Sequence, residues 1–210
     1  MSSGRAQLEG MLVVPDGATG VVLFAHGSGS GRFSPRNQSV ARVLQDRGLG
    51  TCLFDLLEAG ESEDRSKVFD IGLLADRLLS ATEWIEKDGE TRDLTIGYFG
   101  ASTGAAAALE AAAKLKDQIK AVVSRGGRPD LALNSLAGVT APTLLIVGGH
   151  DEPVISMNQE AYDSLPGIKD MVIVPGATHL FEEPGALEEV ARLAGEWFER
   201  YLTPESDVEC

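Results

Sequence analysis

The chain has 210 residues, 43% of them hydrophobic, enough to bury one sizeable core and within the range of a single α/β domain. Lys and Arg number 18 against 32 Asp and Glu, and the formal net charge of -14 repels phosphate backbones and anionic membrane surfaces. Nucleic acid and membranes are therefore not expected as partners. Cys52 lies inside an apolar run and Cys210 at the C-terminus, which suggests no disulfide framework. The N-terminus lacks a basic region followed by an apolar stretch, and no apolar run approaches spanning length, so a soluble cytoplasmic protein is expected.

Residues 6–14 alternate loosely and end at Pro15-Asp16-Gly17, which reads as an edge strand and a turn. Gly20–Ala25 is continuously apolar, as a strand covered on both faces should be, and runs into His26-Gly27-Ser28-Gly29-Ser30-Gly31. Ser34-Pro35 opens a helical pattern that closes at Arg47-Gly48, with Pro near the start and Gly past the end. Residues 49–57 form the next buried strand, followed by an acidic loop over 58–64 and a helix over 69–88.

Residues 94–99 are a short apolar run ending in Gly100-Ala101-Ser102-Thr103-Gly104, and the following positions are almost pure helix former. Strand, tight turn and helix with a serine between two glycines is the pattern of a nucleophile elbow, in which a strained backbone lifts the hydroxyl clear of the sheet. The plainer alternative is a glycine-bounded turn carrying an ordinary N-cap serine.

Beyond it, residues 119–124 read as a strand ending in Arg125-Gly126-Gly127-Arg128, 131–136 as at most a short helix, and 143–147 as a strand ending in Gly148-Gly149-His150-Asp151. Residues 156–165 are expected to be helical, 170–174 to be the last strand, ending near His179, and 184–201 to be a long amphipathic closing helix. Residues 203–210 resemble a frayed acidic tail after a single domain spanning 1–202. This alternation implies a parallel sheet with helices on both faces and right-handed crossovers.

Ligands of open α/β sheets bind outside the carboxyl ends of the strands, where Ser102, Asp151 and His179 all fall, each just past a strand. A serine hydroxyl is a poor nucleophile until an imidazole takes its proton, and a carboxylate fixes that ring and stabilises its charged form. His179 is the best base of the three histidines: His26 is placed to brace the glycine loop, and His150 would point away from its neighbour Asp151 on an extended backbone. Asp151 is preferred over Glu152 because it comes first after its strand, and Glu182 and Glu183 read as surface charges near the last helix. The developing oxyanion needs backbone donors, for which the amides of Thr103 and Ser28 are the candidates. The glycine loop fails the dinucleotide pattern, since Arg32 or Ser34 stands where its third glycine is required. It also lacks the Gly-Lys-Ser/Thr of a Walker loop, and no cysteine-histidine cluster supports zinc, so neither cofactor nor metal is expected.

With these residues in place, the sequence resembles the α/β-hydrolase superfamily, and within it the small, lidless dienelactone-hydrolase-like branch. The resemblance runs from the His26-Gly27 loop through the elbow to Asp151 and His179. It implies a single-domain, mostly parallel twisted sheet of about seven strands with helices on both faces and no cap domain. It also implies a serine esterase mechanism through an acyl-enzyme at Ser102, acting on a small-molecule ester, with thioester cleavage or acyl transfer as neighbouring chemistry. The enzymes that name the branch carry a cysteine nucleophile where this chain has Ser102. A hydrolase-shaped binding protein with an idle site is the alternative from another class. Arg125, and after it Arg32, with Arg36 and Arg128 nearby, are candidates for recognising a substrate carboxylate; a structural ion pair is the competing role.

Overall fold

The computed structural model describes residues 1–3 and 6–203. Two short strands, β1 (Ser2–Ser3) and β2 (Ala6–Gln7), pair with each other, so the strand expected over 6–14 is divided between β2 and β3 (Gly10–Val13). The central strand β4 (Gly20–Ala25) is buried at all six positions. Ser34 caps α1 (Pro35–Asp46) by accepting the Asn37 amide, with Pro35 in the first turn. Next come β5 (Gly50–Phe54), a single turn α2 (Arg65–Val68) inside the expected acidic loop, and α3 (Ile71–Ile85), started by the Asp70 cap.

β6 (Thr95–Ala101) then passes through one residue into α4 (Thr103–Leu115). The rest is β7 (Ile119–Arg125), a one-turn α5 (Leu133–Leu136), β8 (Thr143–Gly148), α6 (Glu152–Ser164), β9 (Lys169–Val174) and α7 (Ala186–Leu202). Helix α6 begins four residues before the position expected from periodicity, because Pro153 is pre-set for a first turn and Asp151 takes the cap position. The tail expected at 203–210 lies, from residue 204 on, outside the described residues. None of the helices is long and apolar enough to cross a membrane among the described residues.

Seven strands form one sheet in the order β3-β5-β4-β6-β7-β8-β9, with β3 antiparallel to β5 and the remaining pairs parallel. Because successive side chains point to opposite faces, β4 feeds two cores. Val21, Leu23 and Ala25 pack with residues of α3 and α4, while Val22 and Phe24 pack with residues of α1 and α7. The run Ala105 to Ala108 of α4 is wholly buried, which only small side chains allow. Strand order reverses between β4 and β6, since β5 lies on one side of β4 and β6 on the other. The carboxyl ends of β4 and β6 therefore flank the crevice in which open α/β sheets bind ligands.

Candidate active site

Ser102 is the single residue between β6 and α4, and its backbone sits at φ 51 and ψ -122, in the left-handed half of the map that L residues avoid. Holding it there requires backbone at van der Waals contact. A Cβ on Gly100 would lie 2.4 Å from the Ala105 Cα, and one on Gly104 would lie 2.1 Å from the Ala25 carbonyl oxygen. The Ser102 amide donates to the Arg125 carbonyl at 3.3 Å, and its carbonyl accepts from Ala105 and Arg128, each at 3.1 Å. These bonds fix the turn to β7 as well as to its own helix.

Asp151 and His179 follow β8 and β9. The His179 Nδ1 stands 2.6 Å from the Asp151 Oδ2, and the Asp151 side chain is only 14% exposed. Their loops are tied together: the His150 amide donates to the Ala177 carbonyl at 2.9 Å, and a Cβ on Gly148 would meet that carbonyl oxygen at 2.5 Å. Glu183 secures the same loop by accepting from the Thr178 amide at 3.0 Å and its hydroxyl at 2.7 Å, which holds the Glu183 carboxyl below its ordinary range. Sequence reasoning treated Glu182 and Glu183 as surface charges; Glu183 pins the His179 loop, and Glu182 pairs with Arg36 at 3.0 Å. Only the Asx-like reach of Glu183 back to Thr178, five residues away, could have hinted at it. Glu152 is exposed and is the first residue of α6, leaving the histidine to Asp151.

Ser102 and Asp151 share a second feature. Each occupies the N-cap position of a helix, where serine and aspartate ordinarily accept an amide of the first turn, and neither side chain makes that bond. The N-cap alternative for Ser102 is thereby set aside, and the Asp151 carboxylate is turned to the imidazole instead.

The other face of the crevice is the loop after β4. A Cβ on Gly27 would lie 2.9 Å from the Ser102 Cβ, so only glycine lets this loop approach the serine. His26 is buried beneath it: Nδ1 and the Gly27 carbonyl are 2.9 Å apart, and Nε2 accepts the Leu56 amide at 2.9 Å. The Leu56 bond assigns the proton to Nδ1, and burial pulls the His26 pKa below its ordinary value, so His26 braces the loop as a neutral ring. Ser28 is exposed beyond it, and Thr103 is the first residue of α4, where amides lack an intrahelical acceptor.

Ser102, His179, Gly27, Ser28, Arg125 and Arg36 line one cavity of about 160 Å³. Arg125 is 7% exposed, while Arg128 turns aside into a two-bond pair with Asp130 at 2.8 and 2.7 Å. Arg32 is not part of this cavity. Its guanidinium pairs with Asp55 and Glu9, it lines a separate cavity of about 570 Å³ with His26 and Glu58, and its amide donates to Asp55 at 2.7 Å. The structural ion pair is thus its observed arrangement.

The seven-stranded sheet in this order is the α/β-hydrolase fold. Within that class the chain belongs to the dienelactone hydrolase family, whose model matches residues 51–202. A crystal structure of a dienelactone hydrolase from Anabaena variabilis is 60% identical, with 96% of this chain and 95% of that chain covered and a TM-score of 0.93. Est1E from Butyrivibrio proteoclasticus, solved with ferulic acid bound, shares the fold at 17% identity and a TM-score of 0.83, covering 95% of this chain and 97% of its own. A Mycobacterium tuberculosis protein provisionally named a phosphoribosyl transferase is 56% identical over 200 residues, which are 95% of this chain and 45% of that protein. The chain spans less than half the length of that relative.

Proposed function

We propose that this protein is a serine hydrolase that cleaves carboxylic esters through an acyl-enzyme at Ser102. The observation that carries the reading is the release of Ser102 and Asp151 from helix capping, with Asp151 bound to His179 and His179 sharing a cavity with Ser102. Asp151 occupies Nδ1 of the ring, which leaves Nε2 to take the Ser102 proton as the hydroxyl attacks the ester carbonyl. The amides of Ser28 and Thr103 then receive the negative charge of the tetrahedral intermediate. The protonated ring passes its proton to the departing alcohol, and water enters by the same route to release the acid. The short segment between β7 and β8, which holds only α5 and a turn of 3-10 helix, supports an open site that admits small esters or the end of larger ones.

The transferase name of the mycobacterial relative belongs to a whole protein of which this chain matches 45%, whereas the dienelactone hydrolase from Anabaena variabilis is matched over 95% of its length. Ester cleavage is accordingly the preferred reading for the residues in hand. Its test is hydrolysis of p-nitrophenyl esters of graded chain length by the wild type, Ser102→Ala and His179→Asn. Turnover by the wild type with a loss of about 10⁴-fold or more in both variants supports the reading; turnover that survives in Ser102→Ala overturns it.

A further inference from the structure

The loop that carries Ser28 leaves the sheet after β4, and its middle residues Ser28, Gly29 and Ser30 are exposed. The bonds between its own backbone groups are local. The Ser30 amide donates to the Gly27 carbonyl at 3.2 Å and the Ser34 amide to that of Gly31 at 3.0 Å. Two successive turns of this kind shape the loop but leave its placement against Ser102 to whatever holds its ends.

Both ends are held by one dipeptide. β4 and β5 are parallel with Phe24 opposite Leu53, so His26 and Asp55, each two residues further on, emerge side by side. At the near end, the Leu56 amide donates to His26 Nε2 at 2.9 Å. At the far end, Asp55 divides its two oxygens: Oδ1 accepts the Arg32 amide at 2.7 Å, and Oδ2 accepts from the Arg32 guanidinium. A Cβ on Gly31 would lie 2.6 Å from that Oδ1, so the main chain itself closes on the carboxylate. A hydrogen bond from a backbone amide to a carboxylate is among the stronger ones available to a protein. Glu9 also pairs with Arg32, but only through the guanidinium and with 73% of its side chain exposed, against 26% for Asp55. Asp55 is the one of the two that grips the backbone.

A donor stabilises an oxyanion best when it is in place before the charge develops, because no ordering is then needed at the moment of reaction. Inward movement of the loop is blocked already, since a Cβ on Gly27 would lie 2.9 Å from the Ser102 Cβ. Outward movement is what the two anchors prevent.

We propose that Asp55 is the positioning residue of the oxyanion hole: with Leu56 it clamps residues 26–32 at both ends and so holds the Ser28 amide where the tetrahedral intermediate needs it. This rests on the ester-hydrolase reading, in which Ser28 supplies one of the two amides. Asp55 touches no reacting atom and acts through the main chain of the loop. Its removal is therefore felt in the transition state and not in ground-state binding.

The test has two arms. In the first, kcat and KM on p-nitrophenyl butyrate and the Ki of butylboronic acid, which forms a tetrahedral adduct with a serine, are measured for the wild type, Asp55→Asn and Asp55→Leu. Each protein is assayed at a temperature where urea unfolding shows it to be folded. In Asp55→Leu kcat is expected to fall about 10- to 100-fold, with KM changed by less than about threefold. The boronate Ki should rise by the same factor as kcat falls, and Asp55→Asn, which keeps an acceptor for the Arg32 amide, should lie between. A loss of stability with kcat and the boronate Ki unchanged makes Asp55 merely structural and overturns the proposal.

The second arm needs no turnover. Hydrogen exchange followed by mass spectrometry should show residues 27–34 exchanging faster in Asp55→Asn than in the wild type, with β6 and α4 unchanged. Equal exchange over 27–34 overturns the clamp. If the wild type neither cleaves esters nor binds the boronate, the ester-hydrolase reading fails while exchange still decides whether Asp55 holds the loop, so the two failures are distinguishable. Should Asp55→Leu not fold, Asp55→Asn carries both arms.

Discussion

Gly148 and the Ala177 carbonyl are in such close approach that a Cβ on the glycine would lie 2.5 Å from that oxygen, and this contact joins the end of β8 to the loop that carries His179. Asp151 and His179 reach each other across this junction. Gly148→Ala is expected to force the two loops apart, costing about 1–3 kcal/mol of stability as an overpacked site does. Activity should fall further than stability explains. Chemical denaturation gives the first quantity, and kcat/KM on a p-nitrophenyl ester at a temperature where the variant is fully folded gives the second, with a loss of at least about tenfold expected.

Gly104 stands against the end of β4, where a Cβ would be 2.1 Å from the Ala25 carbonyl oxygen and 2.5 Å from that of His26. Neither obstacle is a flexible side chain. Gly104→Ala should therefore destabilise the fold by about 3 kcal/mol or more, the upper end of overpacking. The midpoint of urea unfolding reports it. A variant as stable as the wild type would mean that α4 does not sit this close to β4.

His26 gives the fold a pH dependence of known sign. Burial lowers its folded-state pKa below the ordinary 6.5, so below about that pH the unfolded chain binds a proton that the folded chain refuses. Its contribution is fully present above pH 6.5 and is lost as pH falls from there toward the lowered folded value. The slope from one group is at most about 1.4 kcal/mol per pH unit. Urea unfolding at pH 7.5 and 5.0 should show the wild type losing more stability than His26→Gln over that interval. Equal losses in both would remove the buried neutral ring from the account.

Cys52 bears on which atom does the chemistry. It is 1% exposed inside β5, and burial pushes its thiol up to about 12, so it holds no thiolate at neutral pH. In a Cys210→Ser background, Ellman's reagent should leave the folded protein unlabelled, and iodoacetamide should leave esterase activity intact. Inactivation by iodoacetamide in that background would point to a sulfur nucleophile in place of Ser102.

Much of this site can be read along the chain because its parts are local. A strand, Gly100, Ser102, Gly104 and a helix specify one turn, and Asp151 and His179 each mark the end of an apolar run. What escaped the sequence depends on residues far apart in it. The pairing of Arg32 with Asp55 and Glu9, at separations of 23 residues each, follows from β3 lying antiparallel to β5, which periodicity does not announce. The start of α6 escaped for a different reason: apolar spacing marks a helix only from residue 156, whereas Pro153 is pre-set for the first turn four residues earlier in the chain. Arg125 was visible as a candidate, but that its Nε and Nη1 find no hydrogen-bond partner among the described residues belongs to the packed chain alone.

The most direct test of the central claim is covalent labelling with a fluorophosphonate, followed by intact-mass measurement and peptide mapping. The account predicts one adduct per chain, on Ser102, which disappears in Ser102→Ala and slows by orders of magnitude in His179→Asn although Ser102 is still present. Folded wild-type protein that takes up no label, or label that maps to another residue, would contradict it.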